Sequence, residues 1–329
     1  MRRRVLGKTG VEVSELALGG LFVSRVGGDR TEAIRAIHQA LDLGVNLVDT
    51  APTYHDSEEV IGEALRQWSG EVLVSTKLGG RPQPFDPKDS AALRQSFEES
   101  LRLLGRDHVD FLFIHEPERP GQYDWWDNEE TLEGPVREVL AELKRAGRVR
   151  WIGLGGTTAY ELPRMMATGA FDVVLTAFNY SLLWREAAIA VLPEAERQGM
   201  GVFLGSPLQQ GALARRYDDE VAHGAPWLSP PRRAQYQALY ALVDECGIPL
   251  PELGLRFALG DRRISTTLMG ARSVAEVEAN VATAGKGALP EALLARLQEI
   301  ADRVPFRPFE EPFSLPFGRR YRGPGRAGR

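Results

Sequence analysis

Eight short apolar runs, each followed by a longer polar and apolar stretch, limit what this chain can fold into more than any other feature. Runs rich in Val, Ile, Leu and Phe recur near 15–20, 46–51, 71–78, 110–116, 150–155, 171–179, 200–206 and 265–271. Between them, 30–44, 57–68, 89–105, 130–147 and 184–199 carry helical spacing, and several end in glycine, the residue expected just past a helix. A run that is apolar throughout reads as a strand buried on both faces, which belongs in a parallel sheet covered by helices. Eight such units predict an α/β fold, a (β/α)8 TIM barrel, as one domain over 1–303. The competing doubly wound sheet prefers a Gly-rich turn after its first strand. Here Leu18-Gly19-Gly20 runs on to Gly27-Gly28 as a poor match to GxGxxG.

Four segments fall outside the repeat. Val5-Leu6 and Val11-Glu-Val13, around Lys8-Thr9-Gly10, read as an N-terminal β-hairpin that plugs the barrel floor. Residues 117–128 carry Tyr123, Trp125 and Trp126 and are expected to overhang the pocket, while 208–231 carry Gly211, Tyr217 and Trp227. Residues 304–329 form a C-terminal extension, Pro/Phe-rich and then arginine-rich. Phe306, Phe309, Phe313 and Phe317 are expected to pack across the barrel mouth and the last residues to be disordered.

Composition removes several classes of function. No apolar run among the 329 residues is long enough to span a bilayer, and a net charge of -5 gives no reason to expect nucleic acid. No metal-ligand cluster is visible. The basic start lacks the apolar core of a signal peptide, and Cys246 alone allows no internal disulfide, so a cytoplasmic location is expected. Oligomeric state is left open.

Three consecutive runs end in ionisable groups. Asp49 closes Asn46-Leu-Val-Asp49, Lys77 closes Val72-Leu-Val-Ser-Thr-Lys77, and His115 closes Phe111-Leu-Phe-Ile-His115, with Tyr54 in the turn past the first. In a parallel barrel the C-terminal strand ends meet at one face, so these four become neighbours over one pocket. A phenol beside an ammonium, a carboxylate and an imidazole can move a proton. His38 and His108, in or beside helices, read as surface or packing residues. Ser57 and Glu58 read as a helix start, the serine capping and the acid in the first turn.

Several segments in the right order resemble the aldo-keto reductase superfamily over roughly 3–300. They are Leu6-Gly-Lys-Thr-Gly10 through Gly19, Asn46-Leu-Val-Asp49-Thr-Ala-Pro-Thr-Tyr54 through Gly62, Lys77 and His115 at the next strand ends, and Gly270-Ala-Arg272 through Asn280. The resemblance implies an enzyme that binds NAD(P)H without a Rossmann fold and moves hydride to or from a carbonyl. Asp49, Tyr54, Lys77 and His115 would be its catalytic residues, Tyr54 giving the proton. A free phenol has a pKa of about 10; Lys77 would favour the phenolate, Asp49 would hold Lys77, and His115 would orient the carbonyl.

Cofactor contacts are implied at Gly20, Leu21 and Asp49, at Thr157, at Ser206, Pro207, Leu208 and Gln210, and at Gly270, Ala271, Arg272, Glu276 and Asn280. The chain departs from the family at Gly155-Gly156-Thr157, where many relatives have Ser-Asn, at Leu175, where Gln is common, and at Gly205, where an aromatic ring is frequent. The carboxamide would then be held by Thr157, Thr176, backbone or water. These departures resemble the sugar-dehydrogenase branch. Arg272 could clamp a 2′-phosphate, which favours NADP(H) with NAD(H) as the alternative, unless Glu276 four residues on neutralises it. Phe22, His55, Glu116, Trp125 and Trp126 are expected around a sugar or other small carbonyl substrate, unless Glu116 merely pairs with Arg119 or Arg150. The competing function is a non-catalytic, cofactor-binding redox-sensing subunit of the same fold.

Overall fold

Parallel pairing carries the eight runs into a closed barrel. The computed structural model describes residues 1–119 and 124–305, so Tyr123, Phe306, Phe309, Phe313, Phe317 and the arginine-rich end lie outside the described residues. A two-stranded antiparallel hairpin, β1 (Arg3–Val5) and β2 (Glu12–Ser14), precedes the barrel. The barrel strands are β3 (Leu16–Gly19), β4 (Leu47–Asp49), β5 (Leu73–Leu78), β6 (Val109–His115), β7 (Val149–Gly156), β8 (Val173–Ala177), β9 (Gly201–Gly205) and β10 (Thr266–Met269). They neighbour one another in sequence order, and β10 closes on β3. Each of the eight runs thus becomes one strand.

The interior is filled rather than open. Phe111 and Phe113 of β6 meet Phe203 of β9 edge to face, with ring centroids 5.3 and 5.2 Å apart. All three are fully buried, and each such ring contributes on the order of 1.5–3 kcal/mol. Gly153 makes room for them, since a Cβ there would come within 2.6 Å of the Phe113 ring. From below, the hairpin delivers Leu6 and Val13 into the same cluster. Lys8 N–H donates to the Gly199 carbonyl at 2.6 Å, fixing the plug to the floor. With the floor shut, a ligand can enter only at the opposite rim, where the strands end.

The helices around the barrel begin and stop on local signals. Asp29 accepts the Glu32 N–H to cap Arg30–Asp42, and Asp89 accepts the Ala91 N–H to cap Ser90–Leu104. Gly105 and Gly199 end their helices in the left-handed conformation that glycine adopts without strain. Two helix expectations need correction. The stretch 130–147 becomes helical only over Pro135–Arg145, because Asn128 and Glu133 first form a bridge and Pro135 fixes the helix start. The stretch 184–199 is two helices, Glu186–Ile189 and Val191–Gln198, broken at Ala190. Among the described residues no helix is long and apolar enough to cross a membrane.

Candidate active site

The barrel rim brings the three strand-end residues and Tyr54 together. Lys77 Nζ donates to Asp49 Oδ2 at 2.8 Å, to Asp49 Oδ1 at 3.0 Å and to the Thr50 carbonyl at 2.7 Å. Asp49 Oδ1 also accepts from Ser75 Oγ at 2.6 Å. Both members of the pair are buried, so the charges are confined to each other. Lys77 Nζ lies 4.8 Å from the centre of the Tyr54 ring. The His115 ring stands edge-on to Tyr54, 6.0 Å between centroids, with Nδ1 at 3.4 Å from Thr53 Oγ1. Strand register explains the gathering, since β4, β5 and β6 are consecutive neighbours ending on one rim.

A second buried ion pair supports the first and was missed in the sequence. Glu58 is in the first turn as expected; it is also buried, accepts from Thr76 Oγ1 at 2.6 Å and pairs with Arg81, which also donates to Ser100 Oγ at 2.6 Å. Ser57 was expected to cap its helix. It is instead the first helical residue of Ser57–Arg66, its hydroxyl donating to the Gly20 carbonyl at 2.8 Å and accepting from Thr50 Oγ1 at 2.8 Å. The physical reason is burial: both groups face β4 and β5, where neighbouring strands offer stronger partners than the helix end. The only sequence signal was two polar residues at the buried spacing of that helix. His38 and His108 sit apart from the site, His38 stacked on Trp68 and His108 bonded to Asp107.

Burial sets the protonation states. Tyr54 and His115 keep an edge open, yet both rings sit deep among the strand ends. Burial pushes the Tyr54 phenol up, Asp49 adds to it, and the opposing pull of Lys77 does not overcome them. The phenol therefore keeps its proton near neutral pH, as a proton donor must. Burial lowers the Lys77 ammonium, but Asp49 and Tyr54 outweigh it and hold the charge. Burial, with Lys77 nearby, lowers His115 from 6.5 to about 3. His115 is thus a neutral imidazole near neutral pH, able to donate one N–H.

This carries a stability prediction with a definite sign. In the unfolded chain His115 takes up a proton at about 6.5, while the folded chain refuses it until about 3. Between those values the unfolded state binds more protons, so this residue makes stability rise with pH across that window. His115→Asn is expected to flatten the rise, read from urea midpoints at several pH values. Equal slopes for both proteins would mean that His115 is charged in the fold.

A cavity opens beside Asp49 and Tyr54, between the ends of β3, β8, β9 and β10. Of the implied cofactor residues, Gly20, Leu21, Ser206, Pro207, Leu208, Gln210, Gly270, Arg272 and Asn280 line it, with Phe22 from the expected substrate set. Its wall also includes Leu175 and Gly205, two of the departures noted in the sequence, and Ala177, Leu268 and Met269, apolar positions with no distinguishing sequence signal. The residues fit a dinucleotide. The side chains of Ser206, Gln210 and Asn280 make no hydrogen bond within the described residues, and so keep their donors and acceptors for a ligand. Ser206 and Gln210 hold positive φ of 53° and 50°, a strained conformation typical of ligand-holding loops. Backbone crowding does the rest: a Cβ on Gly20 would meet the Asp49 carbonyl at 2.6 Å, and one on Gly270 the Phe22 ring at 2.8 Å.

Other expected contacts lie elsewhere. Trp125 and Trp126 are buried in the outer core rather than on the cavity wall. Trp125 packs on Phe85 at 5.6 Å, and the Trp126 indole N–H donates to the Pro117 carbonyl at 3.2 Å. Indoles of that size bury more apolar area than a rim exposes. His55 is exposed and meets Arg25 at 2.9 Å. Thr157, Ala271 and Glu276 do not line the cavity, Glu276 standing behind Arg272, with which it pairs. Thr157 Oγ1 donates to Glu116 Oε1 at 3.3 Å, and its N–H donates to Glu118 Oε1 at 2.5 Å. Glu118 also explains the departure at Gly156, because a Cβ there would come within 2.5 Å of the buried carboxylate. Glu116 pairs with Arg119 at 3.0 Å while its charge still reaches Tyr54.

A cleft and a phenol backed by a buried ion pair share one barrel rim, an arrangement that suits a barrel oxidoreductase. The model of the Aldo/keto reductase family matches residues 15–302. An L-galactose dehydrogenase of Arabidopsis thaliana is 31% identical over 85% of this chain and 86% of its own length. An NADH-specific methylglyoxal reductase of Escherichia coli (strain K12) is 29% identical over 86% and 93%. The holo form of an aldo-keto reductase from Bacillus halodurans superposes with a TM-score of 0.75 at 25% identity, over 93% of this chain and 98% of that one. The chain belongs to the aldo/keto reductase family.

Proposed function

We propose that the protein moves hydride between a nicotinamide dinucleotide and the carbonyl or alcohol carbon of a small polyhydroxylated substrate of the sugar class. When bound in the cavity, the dinucleotide supplies or takes up the hydride. The protein supplies the rest. In reduction, charge develops on the substrate oxygen, and Tyr54 gives that oxygen its phenolic proton. Lys77 stays charged because Asp49 holds it, so its field stabilises the phenolate left behind. Neutral His115 donates an N–H to the same oxygen and fixes its direction. In oxidation the proton moves the other way.

The observation that carries this reading is the Tyr54 phenol, which is protonated, open to the cavity and backed by a confined Lys77 and Asp49 pair. The experiment follows absorbance at the nicotinamide band with sugar and carbonyl panels. Tight dinucleotide binding without turnover on either panel would favour a non-catalytic sensor.

Support for a polyhydroxylated substrate comes from Glu116, a largely buried carboxylate whose charge reaches Tyr54, and from the name of the L-galactose dehydrogenase relative. A polyhydroxylated ligand could hydrogen-bond this carboxylate alongside its ion pair with Arg119, which an apolar ligand could not. Glu116→Gln is therefore expected to lower kcat/KM for the best sugar while leaving a small aromatic aldehyde level. If both substrates fall together, Glu116 supports the rim. If neither changes, its ion pair with Arg119 is its whole role.

A further inference from the structure

We infer that Glu276, with Glu32 beside it, makes the adenosine end of the cavity selective for a ribose with a free 2′-hydroxyl, NAD(H), against one with a 2′-phosphate, NADP(H). This rests on the dinucleotide reading above and adds which dinucleotide is taken. Arg272 is the one cationic side chain among the described residues lining the cavity, and Asn280 lies at the same end. On sequence alone Arg272 favours a phosphate. In the fold that cation is already engaged: Glu276 Oε1 is 3.1 Å from its Nε, and its guanidinium lies over the Phe22 ring at 5.9 Å.

The carboxylate is held in place independently of the guanidinium. Glu276 Oε2 accepts the backbone N–H of Arg272 at 2.9 Å, and Ser273 Oγ accepts the Glu276 N–H at 3.3 Å. The next amide, Val274 N–H, donates to Glu32 Oε1 at 3.0 Å, reaching across from the helix Arg30–Asp42. A phosphate would seek these same groups, the cation and the exposed amides at the start of the helix Val274–Gly285. The protein's own carboxylates hold them instead. A 2′-phosphate would have to displace one carboxylate and sit against another, beside a guanidinium that is already paired. A 2′-hydroxyl can donate to a carboxylate and suffers no repulsion. On this inference the alternative already open in the sequence, that Glu276 neutralises Arg272, favours NAD(H).

Binding to the apoprotein, read by tryptophan fluorescence quenching and calorimetry, tests this without turnover. NADH is expected to bind more tightly than NADPH. Glu276→Gln keeps an acceptor for the Arg272 amide and the capping pattern with Ser273, so the helix start persists. It removes the charge and releases the guanidinium, so the Kd for NADPH should fall by about tenfold, the scale of one charged hydrogen bond gained, with NADH nearly unchanged. Adding Arg272→Ala to that variant should abolish the gain. Tighter wild-type binding of NADPH overturns the inference, as does a Glu276→Gln effect equal on both ligands or a gain that survives Arg272→Ala. Failure of both dinucleotides to bind would overturn the dinucleotide reading together with it, whereas preference for NADPH would sink the inference alone.

Discussion

Tyr54→Phe is expected to lose nearly all turnover while binding the dinucleotide almost as well as the parent. The substitution removes one oxygen and keeps the ring that packs beside His115 and Lys77. A positioned general acid contributes roughly 10²–10⁴-fold, and the electrostatic partner acting through it adds to that loss. The fall should appear in kcat in both reaction directions, because the same phenol gives the proton in one and accepts it in the other. Dinucleotide titration and steady-state rates on the same preparation separate the two readouts. A variant that keeps most of its turnover removes Tyr54 from the chemistry, and one that loses binding equally makes it a cavity wall.

Lys77→Met is expected to destabilise the protein by about 3–5 kcal/mol, the cost of leaving one charge of a buried pair unpaired. Asp49 would keep only the Ser75 hydroxyl, and the Thr50 carbonyl would lose its donor. The double variant Asp49→Leu/Lys77→Met replaces both charges with apolar groups and should recover most of that stability, less the bonds of Ser75 and Thr50, while remaining inactive. That pattern would identify the pair as a device for holding a cation beside Tyr54 rather than for holding the fold. Urea unfolding of the parent, the single and the double variants measures it. A double variant as unstable as the single one would mean that the pair itself stabilises the barrel.

The barrel, its three strand-end residues and Tyr54 were legible because their signals are local. A doubly buried strand is apolar along its length, a helix repeats at its own period, and parallel closure sends every strand end to one rim, so Asp49, Lys77 and His115 could be assigned neighbours from their places in the runs alone. The hairpin plug was legible for the same reason. What lay beyond reach depended on contacts between units distant in the chain. Glu58 looks like an ordinary first-turn acid until the helix after β4 packs on β5 and meets Thr76 and Arg81. Trp125 and Trp126 look like a rim until the loop after β6 folds inward onto Phe85 and Pro117. Gly156 looks like a lost ligand until Glu118 fills its place.

Arg272 shows the division most clearly. The sequence determined that a cation and an acid stand four residues apart at a helix start, a pair worth only about 0.2–0.5 kcal/mol by itself. Only the tertiary structure brought Glu32 from the first barrel helix to the same amides and pressed Phe22 against the guanidinium. The periodicity of a chain records which face of each element is buried. The charge that a ligand meets is set by whichever side chains converge there from elsewhere, and that convergence leaves no mark on the local sequence.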